Sequence, residues 1–318
     1  MNTTKRLLTL AAAFMALGLI SNAYAADEDT ASESKMKVEE IKPKNKQVGD
    51  IDEEITNARM RAESGSKSKY SLSFGVAFSG GNFVKPLGKD RPDIIGNPEE
   101  ETSSEISGDF SARYRMTEND SITLGAGFGI LTPLQGDVVE GQNQFDVSNP
   151  DIGYSRVYKV GQFQTISSAS YTHGTAQSWD DIGLTGIAGV SHNMLTTLSA
   201  IPALTMGASV SYSQFIYDNN DRDGLTAYRL ALYPYAEYAL SDKYQLRTVF
   251  GYFNYRHTRA DGDKSPLVGM HKQQSYQSVG LQMVLTRDIF VYPNIQFVPD
   301  DIDQEKTNVA VSATINAF

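Results

Sequence analysis

Large apolar residues alternate with small or polar residues along most of the chain after residue 69. In the first such segment, Tyr70, Leu72, Phe74, Val76 and Phe78 are separated by serine, glycine and alanine. A period of two is typical of a β-strand that has one apolar and one polar face. The pattern predicts twelve strands, over residues 70–79, 106–116, 122–131, 150–158, 162–172, 182–192, 203–217, 225–240, 244–257, 274–285, 289–297 and 307–318.

The connections between these predicted strands are alternately long and short. Residues 80–103, 132–149 and 258–273 form long polar segments, whereas residues 117–120 form a tight turn. An even number of antiparallel strands with loops of two lengths is typical of bacterial membrane barrels, whose short turns lie in the periplasm. We therefore predict an all-β fold over residues 69–318, a transmembrane antiparallel up-and-down β-barrel with the C-terminus in the periplasm.

The first 25 residues have the pattern of a secretory signal peptide. Lys5 and Arg6 precede an apolar run over residues 7–20, and Ala23 and Ala25 give the small-x-small pattern of a cleavage site. The apolar run is shorter than the roughly 20 residues that a membrane-spanning helix needs. The chain contains Cys 0, so neither a lipidated cysteine nor a disulfide is available to the exported protein.

Residues 26–68 differ in composition from everything after them. They are rich in glutamate, lysine, aspartate and serine and contain no aromatic residue, so they cannot bury a core of their own. Ile51, Ile55, Ala58 and Ala62 recur at helical spacing before a Ser-Gly-Ser breaker. We predict a disordered or partly helical periplasmic segment that serves as a flexible tether, and a plug or a partner-binding helix stays open as the alternative.

Together, the signal peptide, the alternating strands and the terminal Phe318 make the chain resemble the general class of Gram-negative outer-membrane β-barrel proteins over residues 70–318. The resemblance implies an outer-membrane location, contact with lipid and lipopolysaccharide, and recognition of the last strand by the barrel-assembly machinery. One feature departs from the class pattern. Phe318 has the opposite parity to Val309 and Ile315, so either a bulge restores the phase or Phe318 packs inward.

If the apolar faces point to lipid, strand parity predicts which side chains enter the lumen. Glu237 and Arg247 are equally far from the turn centre at Asp242, so they are expected to pair across that turn. Strand nine also places Tyr255 on the inward parity. The predicted lumen and selectivity residues are Asp109, Arg113, Arg115, Arg229, Glu237 and Arg247.

These inward charges favour a narrow passive, porin-like channel for small polar or anionic solutes, because arginine-lined pores select anions. Two alternatives remain. The arginines could form a structural salt-bridge network, and the barrel could be a non-conducting structural or surface-interaction protein that works through its long loops. The formal net charge of −10 disfavours nucleic acid as a partner. The oligomeric state stays open.

Signals for an enzyme are weak, and an outer-membrane hydrolase is the last alternative. His173 lies near Ser170 and Ser178, but the spacing matches no nucleophile motif. Residues 219–224 resemble the start of a calcium loop, yet its closing position falls on Leu230 rather than on an acid. We therefore predict no catalytic residue, cofactor or metal site.

Overall fold

The computed structural model describes residues 55–96, 99–135, 144–218, 224–258 and 270–317. The predicted signal peptide, residues 26–54 of the predicted tether and Phe318 lie outside these ranges. Signal-peptide cleavage and recognition of the terminal phenylalanine therefore stay predictions.

The alternating segments fold as β-strands over nearly the predicted ranges. In the described residues the strands are β1 (Tyr70–Asn82), β2 (Asp90–Pro92), β3 (Glu101–Ser103), β4 (Glu105–Arg115), β5 (Asp120–Leu131), β6 (Phe145–Val160), β7 (Phe163–His173), β8 (Leu184–Thr197), β9 (Leu204–Tyr217), β10 (Thr226–Ala239), β11 (Tyr244–Gly251), β12 (Phe253–Thr258), β13 (Met270–Lys272), β14 (Tyr276–Val284), β15 (Ile289–Phe297) and β16 (Asn308–Ala317). The helices are α1 (Ala58–Glu63) and α2 (Gln177–Asp180). Neither of these helices is long and apolar enough to cross a membrane.

The main sheet closes on itself as an antiparallel barrel. From β4 to β10 each strand pairs with the next, and β1 joins β4 to β16. β11 and β12 together form one wall strand, interrupted at Tyr252, and β10 pairs with both. β13 precedes β14 in the chain and pairs with β12, while β14 pairs with β11. The prediction of a twelve-stranded up-and-down barrel is confirmed.

The two ends of the barrel differ in their connections. We call the end that carries the turns after β4, β6, β10 and β14 the short-turn end, and β1 also begins there. The opposite end, the long-loop end, carries the small β2–β3 hairpin and α2. The contrast in loop length follows the alternation expected from the sequence.

The outer wall of the barrel is apolar and exposed. Leu124, Ile152 and Val190 are 58%, 50% and 55% exposed, and the aromatic residues Tyr70 and Phe163 lie on the same outer surface. A continuous exposed apolar band around a closed barrel matches the lipid-facing surface of a membrane barrel. The opposite strand faces carry serines, glycines and charged residues toward the lumen.

A one-residue irregularity at Tyr252 reverses the strand parity between β11 and β12. Before it, Arg247 is opposite Glu237 on the inward face. After it, Tyr255 pairs with the exposed Leu230, and Arg256 pairs with Arg229. The sequence-based inward placement of Tyr255 is therefore wrong, because an extra residue in one strand shifts every following side chain to the other face.

Candidate functional site

Residues 55–66, called the plug below, lie inside the barrel at its short-turn end. Ile55 and Met60 are fully buried and pack with Val157, Leu195 and Tyr235, which belong to three different strands. The sequence left both a solvated tether and a plug open for residues 26–68. The part of that segment that the structure describes lies in the lumen and contains the short helix α1.

The start of the plug is fixed by one amide side chain. Gln164 Oε1 accepts hydrogen bonds from the backbone N–H groups of Thr56 (2.7 Å) and Asn57 (2.9 Å). Gln164 Nε2 donates to Thr56 Oγ1 at 3.1 Å. Asn57 then caps α1, because its Oδ1 accepts from Met60 N at 3.0 Å. Gln164 therefore binds the chain at the point where the helix begins.

The end of the plug is held through its backbone carbonyl groups. Asn316 Nδ2 donates to Ala62 O at 2.7 Å, and Arg287 Nη1 donates to Gly65 O at 2.8 Å. Arg115 Nη2 donates to the carbonyls of Ser64 and Ser66. The carbonyls left over at a helix C-terminus thus find donors on the barrel wall.

Gly65 is required at this exit for two reasons. Its φ of +83° lies in the left-handed region that favours glycine. An added Cβ would also overlap the guanidinium of Arg113. With any larger residue at position 65, the Arg113 guanidinium would therefore have to move.

A buried cluster of charges joins the plug to the wall at Glu237. Arg59 Nε donates to Glu237 Oε1 at 2.8 Å, and Asn57 Nδ2 donates to Glu237 Oε2 at 2.8 Å. Arg247 Nε lies 3.5 Å from Glu237 Oε1, so the predicted pair forms, although Arg59 is the closer partner. The guanidinium groups of Arg59 and Arg247 lie over the ring of Tyr235, 4.8 Å and 5.1 Å from its centroid.

The charge of Arg59 is stabilised by two carboxylates. Its Nη1 is 2.6 Å from Glu63 Oε1 within the plug itself. Burial lowers the pKa of Arg59, but the carboxylates of Glu63 and Glu237 outweigh burial and hold that pKa well above its usual value. Arg59 is therefore a cation at neutral pH.

Above the plug, the lumen contains a cavity of about 320 Å³. It is lined by Glu63, Arg113, Asp151 and several serines of β6 to β9. Two donor atoms of Arg113, Nε and Nη1, have no hydrogen-bond partner among the described residues. Arg113 therefore supplies positive charge beside a polar space.

The six residues predicted to line the lumen do not form one ring. Asp109 lies against Gly75, and Arg113 and Arg115 follow it along β4. Arg115 is buried and bonded to the plug. The other three lie on β10 and β11: Glu237 and Arg247 meet at the plug, whereas Arg229 is near the long-loop end. Only part of the set therefore borders open space.

Arg229 belongs to a separate cationic region. It is paired across strands with Arg256, and both side chains are exposed. The Arg229 guanidinium lies 6.0 Å from the ring centroid of Phe215. Neither arginine forms an ion pair within the part of the chain that the structure describes.

The structure does not build a nucleophile around His173. Ser170 lines the 320 Å³ cavity, whereas His173, three residues later, has the opposite strand parity. A different pair is present, since Ser167 Oγ lies 2.8 Å from His192 Nδ1, with Tyr158 OH 3.0 Å from the same oxygen. No carboxylate contacts His192 among the described residues, so this pair lacks the orienting acid of a hydrolase triad.

Several residues that hold the plug were missed from the sequence. Gln164 had a usable signal, because it is a large amide at the first inward position of β7, beside the short turn. Asn316 also has inward parity, opposite Ser73. Arg59 and Asn57 gave no signal, because their partners are known only once the segment is placed inside the barrel.

A closed antiparallel barrel with an apolar outer band and a polar, charged lumen is the architecture of one class of membrane protein. The chain is an outer-membrane-type β-barrel. No family model and no curated protein matches the sequence.

Among solved structures, the chain is similar to several barrels at low sequence identity. One is the NanC porin, with 9% identity and a TM-score of 0.42, covering 78% of this chain and 100% of that one. The KdgM porin has 9% identity and a TM-score of 0.40, covering 78% and 99%. An outer membrane channel from Pseudomonas putida has 7% identity and a TM-score of 0.48, covering 80% and 98%.

Proposed function

We propose that the protein is a narrow passive channel for small polar or anionic solutes, with its passage restricted at the short-turn end by the plug. The observation that carries the proposal is Arg113, which lines the 320 Å³ cavity and forms no ion pair among the described residues. Fixed positive charge between low-dielectric walls raises the local concentration of anions.

The plug gives the channel its narrow bore. A twelve-stranded barrel is intermediate between filled eight-stranded barrels and open sixteen-stranded porins. Residues 55–66 occupy part of that intermediate space and contact β4, β7, β10 and β16 through the hydrogen bonds described above. Removing these residues is therefore expected to widen the lumen without removing any wall strand.

A non-conducting barrel is the second candidate, and the same plug favours it. The segment is held by hydrogen bonds and ion pairs around much of the lumen, so in this candidate it closes the barrel permanently. Solutes would then not cross, and the long loops would carry the activity. The two candidates differ in what happens when the plug is removed.

Conductance across a planar bilayer separates the candidates. The full chain and a variant lacking residues 26–66 would be refolded in detergent and recorded in a salt gradient. We expect the deletion to give larger unitary currents and a reversal potential that favours anions. A deletion variant that shifts on a detergent gel when boiled, as a closed barrel does, but gives no channels would reject the channel and leave the second candidate.

We also propose that the short-turn end faces the periplasm and the long-loop end faces the cell exterior, with lipopolysaccharide and phospholipid around the barrel. The support is the contrast in loop length between the two ends. Protease added to intact cells should cut the long loops only. In a Glu237→Ala variant, which frees Arg59 from its buried ion pair, cleavage near Arg59 should require a permeabilised outer membrane. Cleavage near Arg59 in intact cells would reverse the orientation.

A further inference from the structure

A second and larger cavity, of about 680 Å³, lies at the long-loop end, away from the plug. Its lining comes from the inward faces of β1 and β4 to β6, the β2–β3 hairpin and α2. The volume falls within the range of small-molecule sites in proteins. Arg113 and Arg247 do not line it.

The cavity contains Trp179, the only tryptophan of the chain. Asn149 fixes the segment that leads into α2: its Oδ1 accepts from Thr175 N (2.9 Å) and Ala176 N (3.0 Å), and its own N–H donates to Thr175 Oγ1 (2.7 Å). The indole packs against Gly174, where a Cβ would approach its Cε3 to 3.0 Å. A half-buried indole is thus held at the cavity wall.

To make these bonds, Asn149 adopts a left-handed backbone conformation that is uncommon for a residue with a side chain. Its φ is +56°, one of two non-glycine residues with positive φ in the described chain. Strained residues of this kind concentrate at functional sites. Barrel closure does not require α2, because no residue of α2 is buried. The pairing of β6 with β5 shifts register between Ser148 and Asp151, at Asn149. This irregularity therefore presents Trp179 rather than completing the wall.

The other lining groups favour a ligand with many hydroxyl groups. Thr102, Ser103, Gln177 and Ser178 offer donors and acceptors, and the carboxylates of Glu105 and Asp146 accept hydrogen bonds. The lining is also unfavourable to anions, because its carboxylates outnumber its one described guanidinium, that of Arg91.

Arg91 is committed to the barrel wall. It donates to Gly80 O at 2.7 Å, to Val309 O at 3.2 Å and to Gln296 Oε1 at 2.8 Å. Burial lowers the pKa of Arg91 to about 10, so it remains charged at neutral pH. Its donors hold the β2–β3 hairpin in place rather than reaching into the cavity for a ligand.

We propose that this cavity binds a short neutral oligosaccharide, with the apolar C–H face of one sugar ring on the indole of Trp179. The electron-rich face of an indole attracts such C–H groups, and the surrounding side chains match the hydroxyl groups at the edge of the ring. The inference deepens the proposed function by naming a polar solute class, but binding itself does not require conduction.

Binding can be followed by tryptophan fluorescence. Because Trp179 is the only tryptophan of the chain, all of the tryptophan emission comes from the proposed site. The full-length protein in detergent would be titrated with maltotriose, cellotriose and galactotriose, and with trigalacturonic acid and tetramethylammonium as charged comparisons. We expect a saturable change in emission with at least one neutral trisaccharide and a weaker response to both charged compounds. No saturable response to any neutral sugar, or tighter binding of either charged compound, would overturn the proposal.

Variants test whether the indole makes the contact. By calorimetry, Trp179→Ala should weaken sugar binding about tenfold or more, the size expected for a lost aromatic stack, whereas Trp179→Phe should retain part of it. Arg156→Ser, on the outer face and outside both cavities, is the matched control and should bind sugar as the wild type does. Equal affinity of Trp179→Ala and the wild type would place the sugar elsewhere.

Sugar binding without conductance would reject only the channel, and conductance without sugar binding would reject only this inference.

Discussion

Arg59 of the plug and Glu237 of β10 form a buried ion pair, with 2.8 Å between Nε and Oε1 and only 3% and 1% of the two side chains exposed. The pair joins a segment that precedes the barrel to the barrel wall, across 178 residues of sequence. Removing Glu237 would leave Arg59 with Glu63 as its remaining carboxylate and would leave Arg247 without one; breaking a buried pair by removing one partner typically costs about 3–5 kcal/mol. The hold on the plug therefore depends strongly on Glu237.

Replacing Glu237 by alanine should release the plug. Arg59 and Asn57 lose their acceptor, so trypsin should cut the folded protein at Arg59 or Arg61 much faster than it cuts the wild type. Glu237→Gln is the matched comparison, because it keeps the shape and one acceptor oxygen, and it should fall between the two. If all three proteins are cut at the same rate while their barrels remain folded, the ion pair does not hold the plug.

Gly65→Ala should loosen the end of the plug by two effects. Alanine is strained at a φ of +83°, by roughly 1–2 kcal/mol, and its Cβ would displace the Arg113 guanidinium. Gly161→Ala is a control for the first effect alone, because Gly161 has a φ of +59° and no atom near an added Cβ. Trypsin accessibility of the plug should rise only in Gly65→Ala, and an equal rise in both variants would contradict the packing argument.

The two arginines of β4 should have separable effects on the channel. Arg113→Ser should weaken anion preference in reversal-potential measurements while the plug stays largely protected from trypsin, because Arg113 gives the plug only one long hydrogen bond, of 3.5 Å to Glu63 O. Arg115→Ser removes donors to the carbonyls of Ser64 and Ser66 and should expose the plug. Arg156→Ser is the control, because that side chain is 56% exposed beside Asp120 on the outer face. An anion preference that is unchanged in Arg113→Ser would show that Arg113 does not determine the selectivity of the channel.

The environment of Trp179 should depend on the side chain of Asn149. Asn149→Gly tolerates the positive φ but loses the acceptor for Thr175 N and Ala176 N, so α2 should loosen and tryptophan emission should shift to longer wavelength. Asn149→Asp keeps an acceptor oxygen and should leave the emission close to that of the wild type. The same shift in both variants would mean that the backbone, not the side chain, positions the indole.

The barrel was predictable because its evidence is repeated in every strand. The alternation of apolar and polar residues identifies each strand, and the length of each connection indicates the end of the barrel at which it lies. A single irregularity therefore changes little in the prediction. The plug was not predictable in the same way. Ala58 and Ala62 show helical spacing, but whether that face meets water or the lumen is decided by Gln164, Glu237 and Asn316, which lie more than 100 residues away in sequence.

The candidate site shows the same limit at the level of single residues. Counting from the turn at Asp242 was enough to pair Glu237 with Arg247, because a short turn fixes the register. Counting further along the same strand failed at Tyr255, because no local sequence feature marks the extra residue. The third partner, Arg59, belongs to the segment that precedes the barrel strands in sequence, so strand parity could not identify it.

Because of the irregularity at Tyr252, the number of residues in the wall strand formed by β11 and β12 determines whether each side chain of β12 faces lipid or the lumen. Arg247 and Arg256 are an odd number of residues apart, yet both face inward, which an uninterrupted strand does not allow. Deleting one residue there would turn Arg256 and Asn254 toward lipid and bring Phe253 and Tyr255 into the lumen. An arginine on the lipid face costs about 2–4 kcal/mol at the bilayer midplane and about 0–1 kcal/mol near the interfaces. Because the deletion would also reverse every other side chain of β12, this strand tolerates many substitutions more readily than the loss of a single residue.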